Sequence, residues 1–152
     1  MPNTYSLHEL LTFAVKIEEQ GMAFYEGVAK KTKNEQAQEL YLHLHNEEIK
    51  HRDLYKKMLT AQTKDVPGNY TDEYNGYMRA LIESAVFRKD DPSLASDSDV
   101  LDYAIDREKD SILYYLEIKG HIPEQHRPVV DSIIDEERAH VIQLLDIKEK
   151  IG

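Results

Sequence analysis

Glu48 and His51 lie one helical turn apart in a stretch, residues 40–59, that contains neither Pro nor Gly. Around them Ala37, Tyr41, Leu44, Tyr55 and Met58 recur in alternating steps of four and three. That spacing is the inward stripe of a packed helix, and Glu48 and His51 fall in the same stripe. A carboxylate and an imidazole would thus point together into an apolar interior. Burial of such groups is costly unless something pairs with them. Side chains of this kind can bind a metal ion, but one Glu-x-x-His alone reads equally as an acidic helix face that includes a His.

The pattern returns. Shifted by 89 positions, Glu47-Glu48-x-x-His51 falls on Glu136-Glu137-x-x-His140. Shifted by 90, Ala14, Glu18, Gly21 and Tyr25 fall on Ala104, Glu108, Ser111 and Tyr115. Each Glu-x-x-His helix follows a helix with a Glu in its own core stripe, and each of those Glu residues has a Tyr seven positions on. Surface charge patterning gives no reason for that joint placement, whereas a duplicated helical hairpin built around one polar centre does. Glu18, Glu48, Glu108 and Glu137 would bring about four negative charges to that centre, which two divalent cations would balance. One Glu from each of two helices plus a Glu-x-x-His from each of the other two is the general pattern of di-iron and di-manganese carboxylate bundles. Carboxylate with imidazole suits Fe and Mn, and Zn can also bind.

Four long helices must position these groups. Ser6-Leu7-His8-Glu9 fits a capping box opening a first helix over about 6–31, with stripe Leu7, Leu11, Ala14, Glu18, Gly21, Tyr25, Val28. After the turn Thr32-Lys33-Asn34, a second helix runs back over about 35–62. A connection of about 63–98 is long enough to cross a bundle from end to end. Within it Tyr74–Phe87 could form a short helix, Asp90-Asp91-Pro92 stops it, and Ser93–Asp99 is a loop. The third helix, about 99–119, carries Leu101, Ala104, Glu108, Ser111, Tyr115 and Ile118. The fourth, about 127–150 with Pro128 in its first turn, carries Val130, Ile133, Glu137, His140, Leu144, Ile147 and Ile151. The expected fold is an all-α antiparallel four-helix bundle with a long crossover between helices 2 and 3, forming one domain over 1–152.

Composition narrows the function classes. The 152 residues include no Cys, which removes disulfides, thiolate metal sites and catalytic thiols, and suggests a reducing, cytoplasmic setting. The start, Met1-Pro2-Asn3-Thr4, lacks a signal pattern, and no run reaches the roughly 18 apolar residues of a membrane span. With 29 acidic against 19 basic residues and a net charge of −10, nucleic acid and anionic membranes are disfavoured partners. Leu10, Phe13 and Ile17, with Tyr77, Leu81 and Phe87 of the crossover, are candidate outward apolar positions for a two-fold homodimer. His8, His43, His45, His121 and His126 match no motif position and read as surface or loop residues, and Glu19, Glu47 and Glu136 as solvated neighbours of the stripes.

On Glu18-x6-Tyr25, Glu48-x-x-His51, Glu108-x6-Tyr115 and Glu137-x-x-His140, the chain resembles the rubrerythrin branch of the ferritin-like proteins over about 115 residues. The resemblance implies a ferritin-like fold and two iron ions. It casts Glu18 and Glu108 as terminal or bridging ligands, Glu48 and Glu137 as bridging ligands, and His51 and His140 as caps on one metal each. It casts Tyr25 and Tyr115 as tyrosines that hydrogen-bond to ligand carboxylates; read without it, they are core filler. The sequence departs from rubrerythrins in having no Cys-ligated electron-transfer domain, and in carrying Ser111 where the third helix usually has a second carboxylate. The small pair Gly21 and Ser111 either leaves space for an oxidant or lets helices pack closely. The resulting expectation is reduction of hydrogen peroxide or dioxygen, with electrons from an external donor such as a rubredoxin-like protein. The other readings are a ferroxidase of iron storage or traffic, and a non-catalytic metal-stabilised bundle.

Overall fold

The computed structural model describes residues 4–88 and 96–151. The expected stop at Asp90-Asp91-Pro92, the loop from Ser93 to 95 and the first three residues lie outside the described residues. The elements are α1 (Leu7–Lys31), α2 (Glu35–Ala61), α3 (Asp72–Ala85), α4 (Asp97–Lys119) and α5 (Arg127–Ile151), with a 3-10 turn, Glu124–His126, before α5. The fold is the expected ferritin-like all-helical bundle. Helices α1 and α2 form one hairpin, α4 and α5 the other, and α3 lies within the crossover. Among the described residues, no helix is long and apolar enough to cross a membrane.

Local chemistry sets the helix ends. Ser6 and Glu9 close a reciprocal capping box at the start of α1. Asn34 caps α2 through Ala37 N–H at 2.9 Å. Thr71 caps α3 through Tyr74 N–H, so that helix begins at Asp72 and not at Tyr74. Ser96 Oγ accepts from Asp99 N–H at 3.2 Å. The stretch 97–98, expected as loop, is therefore the first turn of α4.

The buried residues of α2 are Ala37, Tyr41, Leu44, Glu48, His51, Tyr55 and Met58, the whole expected stripe and nothing else. All expected stripe residues of α1 and α4 are buried too, and in α5 only Ile147 and Ile151 are half-exposed. The apolar core divides in two. One cluster holds Leu7, Leu11, Tyr55, Tyr115, Ile118 and Ile133 among others, and the second holds Tyr25, Tyr41, Leu44, Leu101, Ala104 and Leu144.

The outer face of α1 departs from expectation. Leu10 and Ile17 are each only 1% exposed, because Met78, Ile82, Ala85 and Val86 of the crossover join them in the first cluster. Phe13 is half-buried, edge-on to Tyr5 and to Phe87. The crossover is also tied to the start of α1 by Leu7 N–H donating to Val66 O at 2.9 Å and His8 N–H to Asp65 Oδ1 at 3.0 Å. So Leu10 and Ile17 are core residues in one cluster with apolar side chains of the crossover, not docking residues. Leu10→Ala should cost about 3 kcal/mol in chemical denaturation. Leu42→Ala, at a position 49% exposed, should cost about 0.5 kcal/mol or less. Similar losses for the two would contradict this packing.

Candidate metal centre

Between the two apolar clusters lies a polar layer made by Glu18, Glu48, His51, Glu108, Glu137 and His140, each at most 4% exposed. The side chains converge from α1, α2, α4 and α5. His51 Nδ1 lies 3.2 Å from Glu137 Oε1 and 3.6 Å from Glu18 Oε1. His140 Nδ1 lies 3.6 Å from Glu108 Oε1 and 3.7 Å from Glu137 Oε2. Two sets of ligand atoms result, each with all members within 4.8 Å of one another. One comprises Glu48, Glu108, Glu137 and His140, the other Glu18, His51 and Glu137. Glu137 belongs to both. The two imidazoles stack with centroids 6.0 Å apart and planes 21° from parallel.

The tyrosines reach across the bundle. Tyr25 of α1 donates its hydroxyl to Glu108 Oε1 of α4 at 2.6 Å, and Tyr115 of α4 donates to Glu18 Oε1 of α1 at 2.6 Å. Each phenol fixes one oxygen of a carboxylate and leaves the other free. That is the use of a hydrogen-bonded outer group in orienting a ligand.

Whether these residues suit a metal is decided by what the protein leaves unpaired. Glu18 Oε2, Glu108 Oε2, Glu137 Oε2 and His140 Nδ1 are buried and have no partner among the protein's own groups. An unmet buried polar atom costs about 1–3 kcal/mol, and more when charged. Four such atoms belong to residues of the two ligand sets, an arrangement that cations could complete, and the oxygen and imidazole donors suit Fe, Mn or Zn.

Protons do part of that work in the metal-free protein. Burial pushes the Glu18 and Glu48 carboxyls well above the usual range, and the nearby Glu137 charge adds to it. Burial would lower the His51 pKa, but the Glu137, Glu136 and Glu48 carboxylates outweigh it and hold it at about 9. For Glu137, burial would raise the pKa, but the hydrogen bond from His51 and the neighbouring His51 and His140 imidazoles hold it at about 2. In the metal-free centre burial thus favours the neutral forms of Glu18 and Glu48, beside a His51–Glu137 ion pair.

Two features were not legible from the motif. Glu136, expected as a solvated neighbour, accepts from His51 Nε2 with half of its own side chain exposed. This contact fixes the ring so that Nδ1 faces the centre. And the space expected beside Gly21 for an oxidant holds the Glu48 carboxylate, because a Cβ on Gly21 would lie 2.5 Å from Glu48 Oε2. Gly21 is small so that α2 can bring Glu48 in. Ser111 turns its hydroxyl back to its own helix, donating to Arg107 O at 3.0 Å. Of the remaining histidines, His45 is held by Met22 O at 2.9 Å and His121 by Tyr74, so neither is a free surface group.

The fold and this polar layer define a ferritin-like carboxylate bundle with buried Glu/His clusters able to bind metal. The profile of the rubrerythrin family matches residues 9–96, more than half of the chain, and the chain belongs to that family. A structure from Thermotoga maritima described as a ferritin-like diiron-carboxylate protein superposes with a TM-score of 0.74 at 26% identity, covering 99% of both chains. A hypothetical protein from Pyrococcus furiosus shares the fold with a TM-score of 0.62 at 23% identity, over 95% of this chain and 89% of that one. No curated protein matches the chain.

Two outcomes follow for the centre. Gly21→Ala should displace Glu48 and lower metal occupancy, whereas Gly27→Ala, whose Cβ would meet nothing within 4 Å, should keep occupancy and add about 0.5 kcal/mol of stability. Metal analysis and denaturation distinguish the two. The second outcome concerns pH. His51 has a raised folded-state pKa, so its stabilising effect is complete below its ordinary value of 6.5 and is lost as pH rises to about 9. The loss is on the order of 3 kcal/mol. Glu18 and Glu48, also raised, act in the same direction. The metal-free protein should therefore melt at lower temperature at pH 9 than at pH 6.5. Metal binding near neutral pH should release protons, seen as calorimetric heats that change with buffer.

Proposed function

We propose that this protein is a di-iron redox protein that reduces hydrogen peroxide or dioxygen with electrons from an external donor. What carries this reading is the pair of ligand sets sharing Glu137, with four buried carboxylates and two imidazoles. The diiron-carboxylate description of the Thermotoga maritima structure, which this chain matches over its whole length, supports it. When bound, the two metal ions supply electrons and polarise the O–O bond as Lewis acids. The chain's own residues do the rest. Glu18, Glu48, Glu108 and Glu137 balance the added charge. Tyr25 and Tyr115 hold Glu108 and Glu18 in place, and Glu136 keeps His51 turned inward. The flanking apolar clusters keep bulk water from the layer. Mn or Zn would suit the same donors.

Both hairpins contribute to the centre, so residues 1–152 act as one functional domain in this reading. These 152 residues hold no Cys for a thiolate-bound electron carrier, and in this reading an external donor, for instance a rubredoxin-like protein, supplies the electrons. A cytoplasmic, homodimeric protein fits the composition and the exposed Leu42, Ile142, Leu145, Tyr77 and Phe87. A second reading, a ferroxidase of iron storage or traffic, is favoured by one observation. Glu47 and Glu136 meet His51 at the edge of the centre, with Glu136 half exposed, giving a carboxylate path by which Fe(II) could arrive.

Anaerobic titration of the reduced, iron-loaded protein separates these readings. A peroxidase should be oxidised by about one equivalent of peroxide per site, keep its iron, and stop until reductant is added, because two metals deliver two electrons. Faster reaction with dioxygen, with iron released or mineralised, would replace it by the ferroxidase reading. No spectral change with either oxidant would make the centre structural.

A further inference from the structure

The tyrosines beside the centre continue outward. Tyr115, which donates to Glu18, has its ring 6.1 Å from that of Tyr114. Tyr114 is fully buried and donates to the Leu10 carbonyl at 2.8 Å. Tyr5, Tyr70 and Tyr74 pack against the same core cluster. The Tyr70 ring lies 5.0 Å from Tyr74 and 5.2 Å from His121. These outer residues line a cavity of about 400 Å³ between the start of α1, residues 66–71 and α3. Its walls are apolar and aromatic, from Tyr5, Leu7, Leu10 and Pro67, and its polar edge is Tyr74 with His121.

Apolar packing would be served as well by phenylalanine at each of these positions. The hydroxyls differ in a way that matters chemically. A phenol that gives up one electron must also give up its proton, which requires an acceptor within hydrogen-bond reach. Tyr114 faces only a backbone carbonyl, which cannot take a proton. Tyr74 donates to Glu117 Oε1 at 2.6 Å, which leaves His121 Nε2, 2.9 Å away, as donor to the phenol oxygen. Tyr74 is thus built to be oxidised and re-reduced without losing its proton to bulk water.

We propose that Tyr74 is a redox-active tyrosine: it fills an electron deficit at the buried centre by electron tunnelling past the intervening rings, which are not themselves oxidised, and a small phenolic reductant in the adjoining cavity restores it. The inference rests on the redox reading of the centre. The balance is as follows. Tyr74 loses one electron toward the centre and passes its proton to Glu117, becoming a neutral phenoxyl radical. A phenol in the cavity then gives one electron to Tyr74, Glu117 returns the proton so that Tyr74 recovers its hydroxyl and Glu117 its charge, and the phenol's own proton leaves to solvent. Two such events supply two electrons, which with two protons taken up from solvent at the centre convert hydrogen peroxide to two waters, and two phenoxyl radicals leave. The cavity is of a size that holds small ligands, and its aromatic walls suit a flat ring.

The test uses the full chain in two forms. Metal-free protein is oxidised by pulse-generated azide radicals and freeze-quenched. The wild type should show a hydrogen-bonded tyrosyl radical that is lost in Tyr74→Phe and altered in Glu117→Gln, but kept in Tyr77→Phe. Reduced, iron-loaded protein is then given peroxide with hydroquinone as reductant. Tyr74→Phe and Glu117→Gln should slow hydroquinone oxidation about tenfold or more, with the first oxidation of the metal centre unchanged. A radical signal unaffected by Tyr74→Phe, or equal hydroquinone oxidation in wild type and variant, overturns the relay while the redox reading stands. If peroxide does not oxidise the loaded wild type, the redox reading fails and the relay falls with it.

Discussion

Four carboxylates and two imidazoles share one dehydrated layer in this protein, and most of its architecture follows from the need to make that tolerable. The layer separates two apolar clusters, so the bundle has no continuous hydrophobic spine. Removing charge from water is expensive unless it is compensated. The protein compensates in stages. Tyr25 and Tyr115 satisfy one oxygen each of Glu108 and Glu18, and His51 pairs with Glu137. Protons on Glu18 and Glu48 cover part of the remainder. What is left unpaired is a set of buried atoms on the candidate ligands, which cations could complete. Stability and function are therefore linked at one place: the groups that cost most to bury are those that would hold the metals.

The duplicated hairpin explains why the centre is nearly symmetric and where it is not. The Tyr25–Glu108 and Tyr115–Glu18 bonds are related by the repeat and cross between its halves, so neither hairpin has a complete centre alone. The symmetry breaks at Gly21 and Ser111. Gly21 gives its space to Glu48, whereas Ser111 spends its hydroxyl on its own helix. The edges differ as well, since Glu136 braces His51 from a half-exposed position. The two sets of candidate ligands therefore sit in unequal surroundings.

How much of this could be read in the sequence depends on which physical signal carried it. The α2 stripe was fully legible because helix period and burial coincide, and no residue of α2 outside the stripe is buried. The six central residues were legible because the repeat placed polar groups twice where periodicity demanded apolar ones. The burial of a second face of α1 was not, since periodicity reports one buried face and says nothing of a second partner. Leu10 and Ile17 were misjudged for that reason. The start of α4 was placed two residues late because Ser96, Asp97 and Ser98 all resemble caps, and only the bond from Asp99 N–H identifies Ser96. Glu136 escaped because a charged residue one step off a stripe is indistinguishable in sequence from any solvated neighbour. Tyr74 lies more than forty residues before Glu117 and His121, and no local pattern unites the three.

The central claim is that one carboxylate, Glu137, joins two metal positions. Anaerobic metal titration of the wild type and of Glu137→Ala, with bound metal counted per folded chain, tests it most directly. The account predicts two ions per wild-type chain and loss of occupancy at both positions in the variant, whereas His51→Ala should empty mainly one. Two fully occupied positions in folded Glu137→Ala protein, or no more than one ion in the wild type, would contradict it.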